Sequence, residues 1–405
     1  MKLVDDPAPS CVVAVAGVAG SGKTTLGRAL ATTLGLPLLD LDSVTNPLLD
    51  TIADASWGGH WLAAPHQTAI RTGRYASLLA VAKDVVDTAR GCVLVAPWTS
   101  ELRGGEAWAT LQRIVGQHLR VIHLTGDPDL FALRRSGRGE PRDAFRPDVP
   151  DAAPPPAIPV ISIDADLTTV QQLQRALVAL GHRATIDPSN ILFRVPFEAI
   201  LFDLDGTLVD STASVLRSWR RFADEFDVPI ERVHSNHGQP AAAHVRSLLP
   251  AARAAEGLAR IEQIETDDST SVTLIPGAQA LFDGIPEHMR AIVTSGSETI
   301  ASSRLGAIGI PIPKVFVTID QVTYGKPDPE PFLLAARRLG ADPFRCLVVE
   351  DSSAGVIAAR RAGCHVLAMT GTVNSKALAD ADLIVDGLDR LVFYEDEGNL
   401  RLSLR

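Results

Sequence analysis

Short apolar runs separated by amphipathic stretches recur along this chain. Cys11 to Ala16, Cys92 to Trp98, Leu119 to Leu124, Val160 to Ile163, Ala199 to Phe202, Ala291 to Val293 and Cys346 to Val349 carry few polar residues. Runs of this length without alternation read as strands buried on both faces, the habit of parallel sheets. Between them the period lengthens. Leu26, Leu30 and Leu34 fall on one face of a helix over 25–34, Leu167 to Leu180 is amphipathic, and Leu216, Trp219, Phe222 and Phe226 recur at helical spacing. The two patterns together predict an α/β protein with doubly wound parallel sheets.

Length sets how many. A chain of 405 residues exceeds what one core usually supports. The segment 147–159 is rich in Pro, Ala and Asp, yet a strand-like and then a helix-like stretch follow it, so it is read as a loop of the first domain. The expected division is a first domain over 1–182, a linker over 183–196, and a second domain over 197–405 with an insertion at about 211–275.

Candidate chemistry concentrates in four segments that occur in order over the C-terminal half. They are Asp203-Leu204-Asp205-Gly206-Thr207, Thr294-Ser295-Gly296-Ser297, Gly325-Lys326-Pro327-Asp328 and Glu350-Asp351-Ser352-Ser353. The first, second and fourth end apolar runs, where active-site residues of such sheets belong. Asp203 and Asp205, two apart at a strand end, point the same way, so one can attack phosphorus while the other exchanges a proton with the entering or leaving oxygen. Glu350 and Asp351 offer hard oxygen ligands for Mg²⁺ beside Asp203. Lys326, the Ser295 hydroxyl and the amides after it, Gly296 included, suit the remaining phosphoryl oxygens, and Thr207 is a further candidate substrate contact. Each segment alone has an ordinary reading as a turn, a surface loop or a solvated pair. Four in this order and context do not.

This half resembles the haloacid dehalogenase (HAD) superfamily over about residues 198 to 385, in the branch with a helical cap between the first two motifs. The resemblance implies a Rossmann-like core, an aspartyl-phosphate intermediate on Asp203, and Mg²⁺ bound by Asp203, the Asp205 carbonyl and the Glu350/Asp351 pair. It also favours a phosphatase over a dehalogenase, in which Asp205 would be idle. Within the cap, Asn236-His237-Gly238-Gln239-Pro240 is similar to the cap loop of sugar- and polyol-phosphate phosphatases, which makes His237, Gly238 and Gln239 candidate substrate contacts. Many relatives have Arg where Gln239 stands, which exchanges a charged contact for a hydrogen-bonding one. His234, His244 and Arg246 are weaker candidates.

A second phosphate site is predicted near the N-terminus. The first apolar run leads into Gly17-Val18-Ala19-Gly20-Ser21-Gly22-Lys23-Thr24 and then the helix beginning at Thr25. That spacing supplies backbone amides around a triphosphate, a Lys for the terminal phosphates and a Thr hydroxyl for Mg²⁺, so ATP is the expected ligand. Leu36 to Asp42 reads as a strand ending in Asp40 and Asp42, and Asp42 is the candidate base toward an acceptor hydroxyl. Arg71 and Arg74 follow. A helical stretch over 127–142 carries Arg134, Arg135, Arg138 and Arg142, and Arg138 is taken as a substrate contact. Residues 10–181 resemble the gluconate kinase and shikimate kinase group of P-loop enzymes. One departure stands out: the run Cys92 to Trp98 ends in Ala96 and Pro97 where many P-loop enzymes place an Asp, which the gluconate kinase type also lacks.

Composition narrows the partners. A net charge of −10 argues against nucleic acid. Cys11, Cys92, Cys346 and Cys364 lack metal-ligand spacing and suit a reduced, cytoplasmic protein. No signal-peptide pattern or membrane-spanning run occurs, and the oligomeric state is not legible. The reading is a bifunctional enzyme: an ATP-dependent kinase for a small hydroxylated metabolite, joined to an Mg²⁺-dependent phosphatase for a sugar or polyol phosphate. Three alternatives stay open: a phosphosugar mutase, a nucleotide-binding module without transfer activity, and a first domain that is only a structural relic.

Overall fold

The computed structural model describes residues 11–56, 61–63, 67–89, 91–138, 155–234, 241–373 and 375–405. The chain divides between His182 and Arg183 into two units.

In the first unit, β1 (Cys11–Ala16), β2 (Leu38–Asp40), β3 (Gly91–Val95), β4 (Arg120–Thr125) and β5 (Ile161–Asp164) form one parallel sheet in the order β2-β3-β1-β4-β5. The chain passes through α1 (Lys23–Leu34), α2 (Leu41–Ser56), α3 (Gln67–Ala89), α4 (Gly105–Val115), α5 (Pro128–Arg138) and α6 (Thr169–Ala179). Val12, Ala14 and Ala16 pack into a cluster with Leu78, Leu94 and Trp98, and Val13 and Val15 between them are equally buried. That is why β1 tolerates no polar residue. After β1 the chain builds β2 and β3 on one side and then crosses to β4 on the other, so the end of β1 is a topological switch point where such sheets leave a crevice. The glycine-rich loop sits there. Gly20 has φ +89°, and a Cβ on it would lie 2.4 Å from the Phe131 carbonyl oxygen, because α5 rests directly on the loop.

The second unit is centred on β6 (Ala199–Phe202). A hairpin of β7 (Val209–Asp210) and β8 (Thr273–Leu274) closes the base of an inserted cap made of α7 (Thr212–Phe226), α8 (Ile230–His234), α9 (Ala241–Leu248) and α10 (Ala254–Asp267). After α11 (Ala278–Asp283) come β9 (Arg290–Val293), α12 (Glu298–Ile308), β10 (Phe316–Val317), α13 (Glu330–Leu339), β11 (Cys346–Glu350), α14 (Ser353–Ala362), β12 (His365–Met369), β13 (Leu383–Val385) and the hairpin of β14 (Leu391–Asp396) and β15 (Asn399–Leu404). The main sheet is parallel, in the order β10-β9-β6-β11-β12-β13. Ala199 and Leu201 enter one hydrophobic cluster while Ile200 and Phe202 enter another, so β6 is covered on both faces. In the cap, Trp219, Phe222 and Phe226 of α7 meet Val245, Leu248, Ile261 and Ile264 in a separate core.

The stretch expected as a linker packs onto the second unit. Arg183 donates to Asp386 Oδ1 at 3.0 Å and to both oxygens of Asp389 at 3.0 and 2.7 Å. Asn190 reaches the Asp382 carbonyl at 2.9 Å, and Ile186 and Leu192 are buried. Scattered apolar residues in an otherwise polar stretch read as linker, but here Ile186 and Leu192 enter the core and Phe193 and Val195 pack against it, while Ile191 stays exposed. All four cysteines are free, and Cys92, Cys346 and Cys364 are buried. Among the described residues no helix is long and apolar enough to cross a membrane.

Candidate active site

Three strand ends of the second unit converge because β6 lies between β9 and β11. Asp203 follows β6, Thr294 follows β9, and Glu350 closes β11 with Asp351 next. Lys326 arrives from the loop between β10 and α13. Its Nζ donates to Asp203 Oδ1 at 2.6 Å, Glu350 Oε1 at 2.7 Å and the Val293 carbonyl at 3.0 Å, and it is buried. Three acceptors saturate the ammonium.

The turn after β11 is tied by Glu350. Its Oε2 accepts the amides of Asp351 and Ser352 at 2.7 Å each and the Ser352 hydroxyl at 2.9 Å. Ser352 Oγ in turn accepts the Gly355 amide and starts α14. Both Glu350 oxygens are therefore in use. Asp351 differs: its Oδ2 is buried without a hydrogen-bond partner among the described residues. Gly206, at φ +87°, lies against that atom, where a Cβ would sit 1.7 Å from Oδ2.

Charge is unbalanced in this cluster, with three buried carboxyls against one ammonium. Burial pushes the Asp203 carboxyl up to about 7, Lys326 works against the rise, and Glu350 adds to it. Asp351 is raised well above the ordinary range by burial and then by Glu350. Burial also opposes the charge on Glu350, but Lys326 and Ser352 outweigh it and hold that carboxyl low. For Lys326 burial is likewise outweighed, by Asp203 and Glu350, and its ammonium is held above the ordinary range.

Ligand oxygens of Asp203, Glu350 and Asp351 lie within 4.8 Å of one another. Hard donors, excess negative charge and the unpartnered Asp351 Oδ2 fit a hydrated Mg²⁺. Glu350 Oε2 already accepts three donors and Oε1 the Lys326 ammonium, whereas Asp351 Oδ2 accepts none among the described residues, so Asp351 is the member of the pair with more capacity for a direct bond.

Hydrogen-bond donors border the cluster. Thr207 is buried and its Oγ1 has no partner among the described residues. Ser295 and Gly296 are half-buried in the loop before α12, and the Gly296 amide donates to Thr294 Oγ1 at 3.0 Å. Thr294 itself is buried directly after β9, beside the carbonyl that Lys326 holds. The sequence reading favoured Ser295 and passed over Thr294. Its signal was its place immediately after the apolar run.

Asp205 is gripped by both oxygens. Ser211 Oγ donates to Oδ1 at 2.6 Å, and Arg304 Nη1 meets Oδ2 at 2.8 Å. Arg304 of α12 also donates through Nη2 to Glu265 Oε2 of cap helix α10 at 2.9 Å. Arg304 and Glu265 are both buried. Burial raises the Glu265 carboxyl despite Arg304, and Asp205 and Glu265 hold the Arg304 guanidinium above its ordinary range against burial. The sequence singled out neither residue, since each reads as a solvated helix charge.

Residues 197–363 match the family model described as haloacid dehalogenase-like hydrolase. Hexitol phosphatase A of Escherichia coli is 40% identical over 203 residues, covering 48% of this chain and 93% of that protein. The chain belongs to the haloacid dehalogenase-like hydrolases. Validoxylamine A 7'-phosphate phosphatase of Streptomyces hygroscopicus subsp. limoneus is 33% identical, over 47% of this chain and 94% of its own length. Among solved structures, a hydrolase from Pseudomonas syringae is 29% identical with a TM-score of 0.44, covering 47% of this chain and 94% of that one. In this HAD-like unit, His237, Gly238 and Gln239 lie outside the described residues. His244 is buried and stacks on Trp219 at 4.3 Å, which makes it part of the cap core, while Arg246 is exposed.

The first unit gathers its predicted residues around the β1–α1 loop. Ser21 is buried, Lys23 Nζ donates to the Val18 carbonyl at 3.3 Å within the loop, and Thr25 is exposed in the first turn of α1. Gly17 and Gly22 have φ of +152° and +89°, as a loop wrapped this tightly requires. Thr24 Oγ1 donates to Asp40 Oδ2 at 2.8 Å. Asp42 departs from expectation: β2 ends at Asp40, and Asp42 sits in the first turn of α2. Asp40 Oδ1 accepts the Asp42 amide at 2.9 Å and starts the helix early. Asp42 pairs with Arg74 at 2.6 Å, and Arg71 donates to Thr99. Arg135 is buried and donates to the Ala19 carbonyl at 3.1 Å. Arg138 ends α5, but its side chain, like all of Arg142, lies outside the described residues.

Proposed function

We propose that the second unit hydrolyses the phosphomonoester of a sugar or polyol through an aspartyl-phosphate on Asp203. The observation that carries this is the buried set Asp203, Lys326, Glu350 and Asp351 at the end of β6 and β11, with one ammonium against three carboxyls. Asp203 forms a bond to phosphorus as the ester P–O bond breaks, and Asp205 gives its proton to the departing oxygen. Asp205, now a carboxylate, then takes a proton from water as the water oxygen bonds to phosphorus and Asp203 is released. Thr294, Ser295, the Gly296 amide and Thr207 hold phosphoryl oxygens, and Lys326 keeps Asp203 aimed and the local charge low. Asp203, the Asp205 carbonyl and Asp351 would hold Mg²⁺, with Glu350 fixing Lys326 behind them, and the ion supplies positive charge against the phosphoryl oxygens. The 40% identity to a hexitol phosphatase supports an open-chain polyol phosphate as the first substrate to try.

Phosphate release from hexitol, hexose, pentose and glycerol phosphates, with Mg²⁺ and then with chelator, tests this reading. Mg²⁺-dependent release that Asp203→Asn abolishes is the expected result. Phosphate returned to a second hydroxyl instead of water would make the unit a mutase. No turnover of any ester would end the proposal.

We further infer that the first unit is an ATP-dependent small-molecule kinase. Support comes from the glycine-rich loop at the switch point of a β2-β3-β1-β4-β5 sheet, with Thr24 tied to Asp40 and Arg135 of α5 on the loop. Asp42 serves as the base toward the acceptor, released from Arg74 when that acceptor binds. ATP consumption screened against free polyols and sugar acids checks this, and absence of ATP binding would reduce the unit to a structural role.

A further inference from the structure

Asp205 is held from two directions, and both lead to the cap. Ser211, which binds Oδ1, is the N-cap residue of α7, where the chain enters the cap. Arg304, which binds Oδ2, belongs to the core helix α12 but spends its other nitrogen on Glu265, near the end of α10, where the chain leaves the cap. One residue earlier on α12, Ser303 Oγ donates to Ser269 Oγ at 2.7 Å, a second tie to the same exit. Arg304 is 2% exposed and Glu265 7%. A surface ion pair of this kind would contribute little, but a fork buried between two carboxylates fixes direction as well as charge.

We propose that Arg304 and Glu265 are positioning residues that aim the Asp205 carboxyl group for proton transfer, with the cap helix α10 supplying the far anchor. Arg304 has a separate partner on each terminal nitrogen, Asp205 on Nη1 and Glu265 on Nη2, so Glu265 sets its plane before it meets Asp205. Remove Glu265 and the guanidinium loses one of its two anchors. Remove Arg304 and, among the described residues, Asp205 keeps only the Ser211 hydroxyl, about which a carboxyl group can rotate. Among the described residues neither has a hydrogen bond or ion pair with Asp203, Lys326 or Asp351, so the pairing of the nucleophile with its ammonium does not depend on them.

The inference rests on the phosphatase reading, and leaving-group dependence separates the two. A hexitol 6-phosphate expels a strongly basic alkoxide that needs a proton as the P–O bond breaks. p-Nitrophenyl phosphate expels a phenolate that does not. Because kcat/KM reports only events up to leaving-group departure, a misaimed proton donor lowers it for the first ester alone.

The experiment measures kcat and KM for both esters, with full-length protein and Mg²⁺, for wild type, Arg304→Met, Arg304→Lys and Glu265→Gln. Arg304→Met is expected to lose about 100-fold in kcat/KM on the hexitol ester and no more than about 5-fold on the aryl ester. Glu265→Gln should show the same selective loss in smaller degree, and Arg304→Lys should recover part of it. Equal losses on both esters, a gain on either, or unchanged values would overturn the proposal. Should Arg304→Met fail to fold, Glu265→Gln, which keeps size and a hydrogen bond, decides the matter by the same ratio. Wild-type protein that hydrolyses neither ester would instead refute the phosphatase reading.

Discussion

Asp203→Asn is expected to make the protein more stable while ending phosphate release. The folded Asp203 carboxyl lies at about 7 instead of 3.8, chiefly through burial. Each unit corresponds to ~1.4 kcal/mol, so ionising this group in the folded chain costs about 4 kcal/mol. That figure already contains the attraction of Lys326. Because the folded value lies above the unfolded one, the native state binds the extra proton, and the penalty is absent below about pH 4, grows as pH rises, and is complete above about pH 7. Asn keeps Oδ1 as an acceptor for Lys326 and removes the charge. Calorimetry in chelator at pH 5, 6, 7 and 8 measures the effect on the transition that Mg²⁺ displaces, which identifies the second unit. A gain on the order of 10 °C is expected at pH 8 and a much smaller one at pH 5. Mg²⁺ should narrow the gap by relieving the wild type. An equal or lower melting temperature at pH 8, or a gain independent of pH, would refute the charge accounting.

Lys326→Met should act in the opposite sense, leaving the buried carboxylates unpaired: ~3–5 kcal/mol of stability lost near neutral pH by calorimetry, and turnover down by ~10²–10³. Asp351→Asn should weaken Mg²⁺ binding, measured by isothermal titration, more than Glu350→Gln does; the reverse order would mean that Glu350 leaves its hydrogen bonds to ligate directly. Lys23→Ala should remove affinity for a fluorescent ATP analogue without changing phosphate release, and retained affinity would sink the proposed nucleotide site.

Most of what the sequence displayed was local. Asp203, Glu350 and the loop over 17–22 each follow an apolar run, so the strand pattern and the chemistry are written side by side. The convergence of Asp203, Glu350 and Asp351 follows from strand order in the parallel sheet expected for the HAD-like half, and Lys326 joins them from the loop between β10 and α13. Arg304 and Glu265 were not legible, because their meaning comes from a pairing between the cap and core helices, and alone each is an ordinary helix charge. Thr294 is buried and Ser295 half-buried, a difference between neighbouring hydroxyls that composition does not rank. Asp42 was displaced from a strand end to a helix by one hydrogen bond to Asp40, an event on the scale of a single turn.

The clasp on Arg183 bears on portability. Phe197 and Leu400 exchange both backbone hydrogen bonds at 2.8 Å, and Arg401 reaches the Arg194 carbonyl at 3.1 Å, so entry to and exit from the second unit are stitched side by side. A fold closed in this way can be carried from one polypeptide to another as a cassette, since neither end has to be found again by the rest of the chain. Its edge is Arg183 rather than the first catalytic strand: a fragment cut at Phe197 would take Arg183 from Asp389, leave Asp386 with Arg390 alone, and bare the face that Leu192 covers.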